Sequence, residues 1–192
     1  SITLGKGIEV SNPNKDIFII DATPADCVEF ALTMFDIKFD LIVSGCNDGL
    51  NISYDTIYSG TIGAGLQALK HRLPVICFSL DSNFEILDKY FDSVMDFIMN
   101  NKLLSIEYLL NVNFPTGEIV KDIRVSKLHY RKDYTHYINK DGLYFATRKL
   151  EEEDCDKESD VYHVYHDIVS ITPLGKTNYN DSYYNELKNK II

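Results

Sequence analysis

Apolar residues fall along this chain in two rhythms, and the stretch from Asp40 to Ser82 shows both. Leu41 to Val43 and Val75 to Leu80 are short unbroken apolar runs, the length of strands buried on both faces. Between them Ile62, Leu66, Leu69 and Leu73 recur at i, i+4, i+7 and i+11, one stripe of a helix packed on a sheet. Strand, loop, helix and strand make a βαβ unit. In open α/β sheets ligands sit outside the carboxyl ends of the strands, so the loop from Ser44 to Thr61 is the first place to look for chemistry.

The flanking chain extends the alternation. Residues 1 to 20 read as two or three short strands, with Gly5-Lys6-Gly7 and Ser11-Asn12-Pro13-Asn14 as turns, and Ile17 to Ile20 as a buried run. Thr23 caps a helix with Pro24 at its first position and Asp26 at its third, and Val28, Ala31, Leu32 and Phe35 form the stripe. Asp26 there serves the cap and the helix dipole. A second long helix spans about Phe84 to Asn101, with Leu87, Phe91, Val94 and Ile98 on one face. Glu107 to Phe114 is a strand, with Asn111 and Asn113 on one face and Leu110, Val112 and Phe114 on the other. The fold class that follows is α/β, a three-layer, Rossmann-like sandwich whose mainly parallel sheet carries helices on both faces.

From Asp122 the pattern changes. Ile123 to Tyr130 and Leu143 to Arg148 are strand-like, and Asn139-Lys140-Asp141-Gly142 is a turn, which predicts an extended hairpin. Tyr130, Tyr134, Tyr137 and Tyr144 gather there; cross-strand packing ranks ahead of an oligomer contact or a stacking platform for a base. Glu151 to Asp156 reads as a solvated acidic loop. His163 and His166 sit at i, i+3 without a third ligand in view and read as structural or surface histidines. The chain is expected to be one domain: an α/β core over 1–121, the hairpin over 122–150, the acidic loop over 151–160, and the last core strand with a polar tail over 161–192.

Composition narrows the partners. A chain of 192 residues buries roughly 70% of its unfolded surface in one core. The net charge of −10 excludes a protein that wraps duplex nucleic acid, which needs a basic face. Cys27, Cys46, Cys77 and Cys155 show no C-x-x-C pairing and read as reduced, structural thiols. With no apolar run of membrane-spanning length and no leader pattern, the cytoplasm is the expected compartment.

The loop is dense in small polar groups. Ser44, Asn47, Asn51, Ser53, Ser59 and Thr61 offer hydroxyls and amides, and Gly45, Gly49 and Gly60 permit close backbone approach. With Ser59 at the helix start, the amides of Gly60, Thr61 and Ile62 point outward and, with the helix dipole, suit a phosphate. A plain N-capped helix explains the same serine. The run Gly60-Thr61-Ile62-Gly63-Ala64-Gly65 is not a dinucleotide fingerprint, because the paired glycines of G-x-G-x-x-G come before the helix and here Gly63 and Gly65 lie inside it.

Ser44-Gly45-Cys46-Asn47-Asp48-Gly49-Leu50-Asn51, followed by Tyr58-Ser59-Gly60-Thr61, a helix and Pro74-Val75-Ile76-Cys77-Phe78-Ser79, resembles the signature of the SurE family of metal-dependent acid phosphatases and 5′-nucleotidases. Ser1-Ile2-Thr3-Leu4, Thr23-Pro24-Ala25-Asp26-Cys27, Leu110-Asn111-Val112-Asn113-Phe114-Pro115 and Val169-Ser170-Ile171-Thr172-Pro173-Leu174 fit in order. The resemblance implies one divalent metal ion, Mg²⁺ or Mn²⁺, with Asn47 as a metal ligand. It also implies Asn51 and Ser59 as catalytic, phosphate-holding side chains, and Gly60 and Thr61 as phosphate-binding amides. It implies a nucleoside monophosphate or other small phosphate ester as substrate. A homodimer or homotetramer exchanging the hairpin and tail between subunits is implied too. The family's Asp-Asp-Gly motif and a further metal-binding Ser would precede Ser1, so the expectation is a longer natural product. The 192 residues alone are expected not to hydrolyse phosphate esters. The rival is a non-catalytic nucleotide or phosphate sensor on the same fold. Asp48, Leu50 and the Tyr54-Asp55-Thr56 segment depart from the family's usual residues and leave substrate preference open.

Overall fold

The computed structural model describes residues 2–130, 133–150, 155–175 and 181–190. The elements run β1 (Val10–Asn14), β2 (Ile17–Ile20), α1 (Pro24–Met34), β3 (Ile42–Asp48), α2 (Asp55–Tyr58), α3 (Gly60–Lys70), β4 (Val75–Leu80), α4 (Phe84–Asn100), β5 (Tyr108–Asn113), β6 (Asp122–Val125), β7 (Asp133–Lys140), β8 (Leu143–Leu150), α5 (Asp160–Val164), β9 (Ile168–Gly175) and α6 (Asp181–Asn189).

The central sheet has the order β3-β4-β5-β9-β6. Strands β3, β4 and β5 are mutually parallel, β9 runs antiparallel to β5, and β6 is parallel to β9. The two faces of β4 separate the core into layers. Ile76, Phe78 and Leu80 join Leu110, Val112, Phe114, Val169 and Ile171 beneath Ile86, Val94 and Ile98 of α4. Val75 and Cys77 face the other way, under Ile62, Ala68 and Leu69 of α3. A run of alternating side chains is thereby buried twice, which is why β4 has no polar face to show water.

On the α3 side the sheet turns polar toward its middle. Ser79, Asn111, Asn113, Ser170 and Thr172 are all buried there, alternating with the apolar residues under α4. The loop at Asn51 and helix α5 cover this belt. Asn113 Oδ1 accepts from Asn51 N at 2.8 Å, while Asn111 Nδ2 and Asn113 Nδ2 donate to Asn51 O at 2.7 and 3.1 Å. The predicted two-faced strand at Asn111 and Asn113 is thus built as a hydrogen-bonding rail.

Several boundaries and faces differ from expectation. Strand β3 continues to Asp48, so the first part of the expected loop is sheet, and Asp55–Tyr58 adds a helical turn within it. The buried face of α3 is Thr61, Ile62, Ala64, Gly65, Ala68 and Leu69, which keeps Ile62 and Leu69 of the expected stripe and replaces the other two by small residues. Small residues let the helix approach the sheet, Leu66 turns outward and Leu73 falls beyond the helix end. Ile17 to Phe18 and Ile19 are exposed, because among the described residues β2 pairs only with β1. The hairpin is β7 with β8, turning on Asp141 and Gly142, both at positive φ. The segment at Ile123 instead joins the core sheet beside β9. Tyr137 stands opposite Ala146 and Tyr144 opposite Asn139, diagonal neighbours that are largely exposed; Tyr130 packs on Tyr54, with centroids 5.1 Å apart. Within the acidic run, residues 151–154 lie outside the described residues, and Asp156 accepts from Lys127 Nζ at 3.2 Å.

At α1 the reading of the sequence holds. Thr23 and Asp26 form a reciprocal capping box, and Asp26 also accepts from Thr3 N at 2.8 Å and Thr3 Oγ1 at 2.7 Å. The Thr3 amide, followed by the other three donors, holds the Asp26 carboxyl far below the usual range, a structural duty that occupies both oxygens.

Candidate active site

The carboxyl ends of β3 and β4 and the amino end of α3 meet at one place. Asn47 lies in the last residues of β3, paired with Ser79 of β4. Its Nδ2 donates to Gly49 O at 2.7 Å, which turns its Oδ1 toward α3, where Thr61 Oγ1 donates to it at 3.3 Å. Ser59 is the N-cap of α3, its Oγ accepting from Ile62 N at 3.2 Å. Helix geometry leaves the Gly60 and Thr61 amides outside the intrahelical ladder. Two further bonds fix α3 against β3 and β4: Ser44 Oγ donates to Thr61 O at 3.0 Å and Cys77 Sγ to the same oxygen at 3.4 Å. Four of the five residues read from the sequence are therefore assembled: Asn47, Ser59, Gly60 and Thr61.

Asn51 is the fifth, and it is placed differently. It is buried, with Nδ2 donating to Ser79 Oγ at 2.7 Å and both of its backbone polar atoms held by the asparagine rail. The loop is anchored through it. Gly45, at φ +113, shows why no side chain is tolerated in the turn of β3, since a Cβ would run into Phe78 O. Gly49, at φ +126, donates its amide to Leu80 O at 2.7 Å and completes the crossing.

The groups nearby differ in chemical readiness. Burial, with the charge of Asp48 adding to it, pushes the Cys46 thiol up to about 11, so it stays protonated and is no nucleophile. Asp48 Oδ1 accepts from Ser82 N at 3.1 Å and Ser82 Oγ at 2.9 Å, which ties its carboxylate to the loop after β4. Asn47 Oδ1 is a hard, neutral oxygen of the kind Mg²⁺ and Mn²⁺ accept. Among the described residues no three His, Cys, Asp or Glu side chains stand close enough to hold an ion. The fit to a divalent ion is that of one ligand.

The two histidines are apart in function. His163 is buried, its Nδ1 2.8 Å from Ser126 Oγ, which in turn accepts from Ser170 Oγ at 2.8 Å. His166 Nδ1 is 2.8 Å from Tyr162 O and its ring stacks on Tyr162 at 3.8 Å. Of the i, i+3 pair, read from the sequence as structural or surface histidines, His163 is buried and His166 lies at the surface. The Ser126–His163 pair was not legible, because its partners lie 37 residues apart with no motif joining them. No helix among the described residues is long and apolar enough to cross a membrane.

Comparison with known proteins follows this geometry. The family model described as Survival protein SurE matches residues 1–135. A protein named 5′-nucleotidase SurE from Haemophilus influenzae (strain PittEE) is 33% identical over 186 residues, covering 91% of this chain and 74% of its own. A second of that name, from Clostridium beijerinckii, is 30% identical over 170 residues, covering 82% and 67%. The crystal structure of the SurE protein from Aquifex aeolicus superposes with a TM-score of 0.81 at 27% identity, over 100% of this chain and 83% of that one. With the family model matching residues 1–135, more than half of its length, and a relative 33% identical over 186 residues, this chain belongs to the SurE family.

Proposed function

We propose that this protein is a phosphomonoesterase that hydrolyses nucleoside monophosphates to nucleoside and phosphate with the aid of a divalent ion, Mg²⁺ or Mn²⁺. The observation that supports the reading is the contact of Thr61 Oγ1 with Asn47 Oδ1, which sets a hard, neutral side-chain oxygen beside the amino end of an eleven-residue helix. The names of the relatives, 5′-nucleotidase, support the substrate class. On this reading the Gly60 and Thr61 amides receive the phosphate oxygens, and the helix dipole favours their charge. Ser59, whose Oγ already accepts from Ile62 N, has its hydroxyl hydrogen to donate to the ester. Asn51 has a second amide hydrogen beyond the one given to Ser79. Asn47 holds one position of the ion, which when bound supplies Lewis-acid neutralisation of phosphoryl charge.

The exposed Tyr137, Leu143, Tyr144 and Phe145 of the β7–β8 hairpin suit a contact with further copies of the chain, so a homodimer or homotetramer belongs to the proposal. The thiols of Cys27, Cys46 and Cys77 suit a reducing compartment such as the cytoplasm. The test is phosphate release from nucleoside monophosphates by the full natural protein with Mn²⁺ or Mg²⁺, repeated after chelation. Chelator-sensitive release is expected. A protein that binds the nucleotide and never releases phosphate under either metal overturns the reading.

A further inference from the structure

Asp160 has no exposed surface, and the sequence gives no reason to single it out. Both of its oxygens are taken by backbone donors from three separate segments. Oδ2 accepts from Ser53 N at 2.9 Å, and Oδ1 accepts from His129 N at 2.9 Å and from Val161 N at 2.8 Å. Of these donors, the Ser53 amide belongs to the loop between Asn51 and Ser59, 107 residues away in sequence.

Ser53 is where that loop folds back. Its φ of +54 is left-handed, a conformation L residues adopt only when the surroundings impose it. Thr56 Oγ1 donates to Ser53 O at 2.8 Å on one side, and the Asp160 carboxylate fixes the amide on the other. Beneath the turn, Ile52 packs with Val161 and Val164 of α5. The loop is therefore held at Asn51 by the asparagine rail, at Ser53 by Asp160, and at Ser59 by α3. The Asp160 carboxylate is the one of these three fixtures that comes from the far side of the sequence.

We propose that Asp160 is a positioning residue for the phosphate loop: from the far end of the chain it holds Ser53 in its turn and so sets where Ser59, Gly60 and Thr61 meet the substrate phosphate. The inference rests on the phosphate-site reading above. It assigns Asp160 no contact with substrate.

The experiment uses the full natural protein and the Asp160→Asn variant, which keeps the shape and gives up one acceptor. Three quantities are read: the Kd for inorganic phosphate by calorimetry, kcat and KM for p-nitrophenyl phosphate with Mn²⁺, and residue-resolved amide hydrogen exchange. The expected result is at least about a tenfold weaker Kd and a tenfold lower kcat/KM. Exchange should be faster over residues 53–60, and that of β4 and β5 unchanged. A folded variant with wild-type Kd and kcat/KM overturns the positioning role, and so does a loss accompanied by equal loosening of β4 and β5. Should Asp160→Asn fail to fold, the wild type decides: the Ser53 amide is expected to exchange as slowly as those of β5, and exchange at loop rates overturns the proposal. A wild-type protein that neither binds phosphate nor cleaves the ester overturns the phosphate-site reading and this role together; an active wild type with an unaffected variant overturns this role alone.

Discussion

Two glycines two positions apart in α3 should respond to the same substitution with opposite signs. At Gly63 an added Cβ meets nothing within 4 Å, and at Gly65 it would stand 2.6 Å from Cys77 Sγ, 3.0 Å from Leu109 Cδ2 and 3.2 Å from Val75 Cγ1. Both gain helix propensity of about 1 kcal/mol on going to Ala. For Gly63→Ala that gain stands alone, so a stabilisation of about 0.5–1 kcal/mol is expected. For Gly65→Ala the overpacking costs about 1–3 kcal/mol, because Val75 is stiff and Cys77 can swing away only by abandoning Thr61 O. Set against the helix gain, the net effect is a loss of up to about 2 kcal/mol. In a domain of this size each kcal/mol moves Tm by about 2–4 °C, so the two variants should separate by several degrees in calorimetry. Removing the obstructing sulfur supplies the internal check: in a double-mutant cycle with Cys77→Ala the two changes should be less damaging together than their sum by about 1 kcal/mol. If Gly65→Ala raises Tm as Gly63→Ala does, the close approach of α3 to β4 is refuted.

Other tests probe the site and the belt beneath it. Asn47→Ala in the full natural protein is expected to lose about 10–100-fold or more in metal affinity and in metal-dependent turnover while the fold stays intact, checked by Mn²⁺ calorimetry and phosphate release. Ser79→Ala leaves Asn51 Nδ2 short of its buried acceptor and is expected to cost about 1–3 kcal/mol in urea unfolding, with exchange rising at Asn51. Burial, then the nearby charge of Arg124, holds His163 below the ordinary histidine value, with Asp160, Asp122 and the Lys157 carbonyl opposing. Its folded pKa is depressed, so its contribution is complete above about pH 6.5 and is lost as pH falls through the folded value. The drop in Tm between pH 7.5 and 5 should be larger in the wild type than in His163→Gln.

How far the sequence could be read depended on the range of the interaction. The Thr23 cap, the β4 run and the alternation at Asn111 and Asn113 are local patterns, and each is built as its residues suggested. Asn47, Ser59, Gly60 and Thr61 were legible because a βαβ unit brings a strand end and a helix start together by its own connectivity. The α3 face was only half legible, with Ile62 and Leu69 buried as expected, because size also counted: Gly65 and Ala68 reach the sheet by being small, and Leu66 does not. Nothing local marks Asp160 or the Ser126–His163 pair, whose meaning appears only once α5 docks beside β9.

The span between Ser53 and Asp160 also sets a clock. A chain emerging from its amino end at about 5–20 residues per second presents the Ser53 turn roughly 5–20 s before the carboxylate that fixes it exists. Strand β9, which closes the sheet between β5 and β6, arrives later still. In that interval α1, α3, β3 and β4 have their mutual partners, whereas the asparagine rail stands uncovered by α5 and the turn at Ser53 is unrestrained. The nascent protein is thus a half-built sheet with a slack loop, and the turn at Ser53 gains its carboxylate partner only with the last third of the chain.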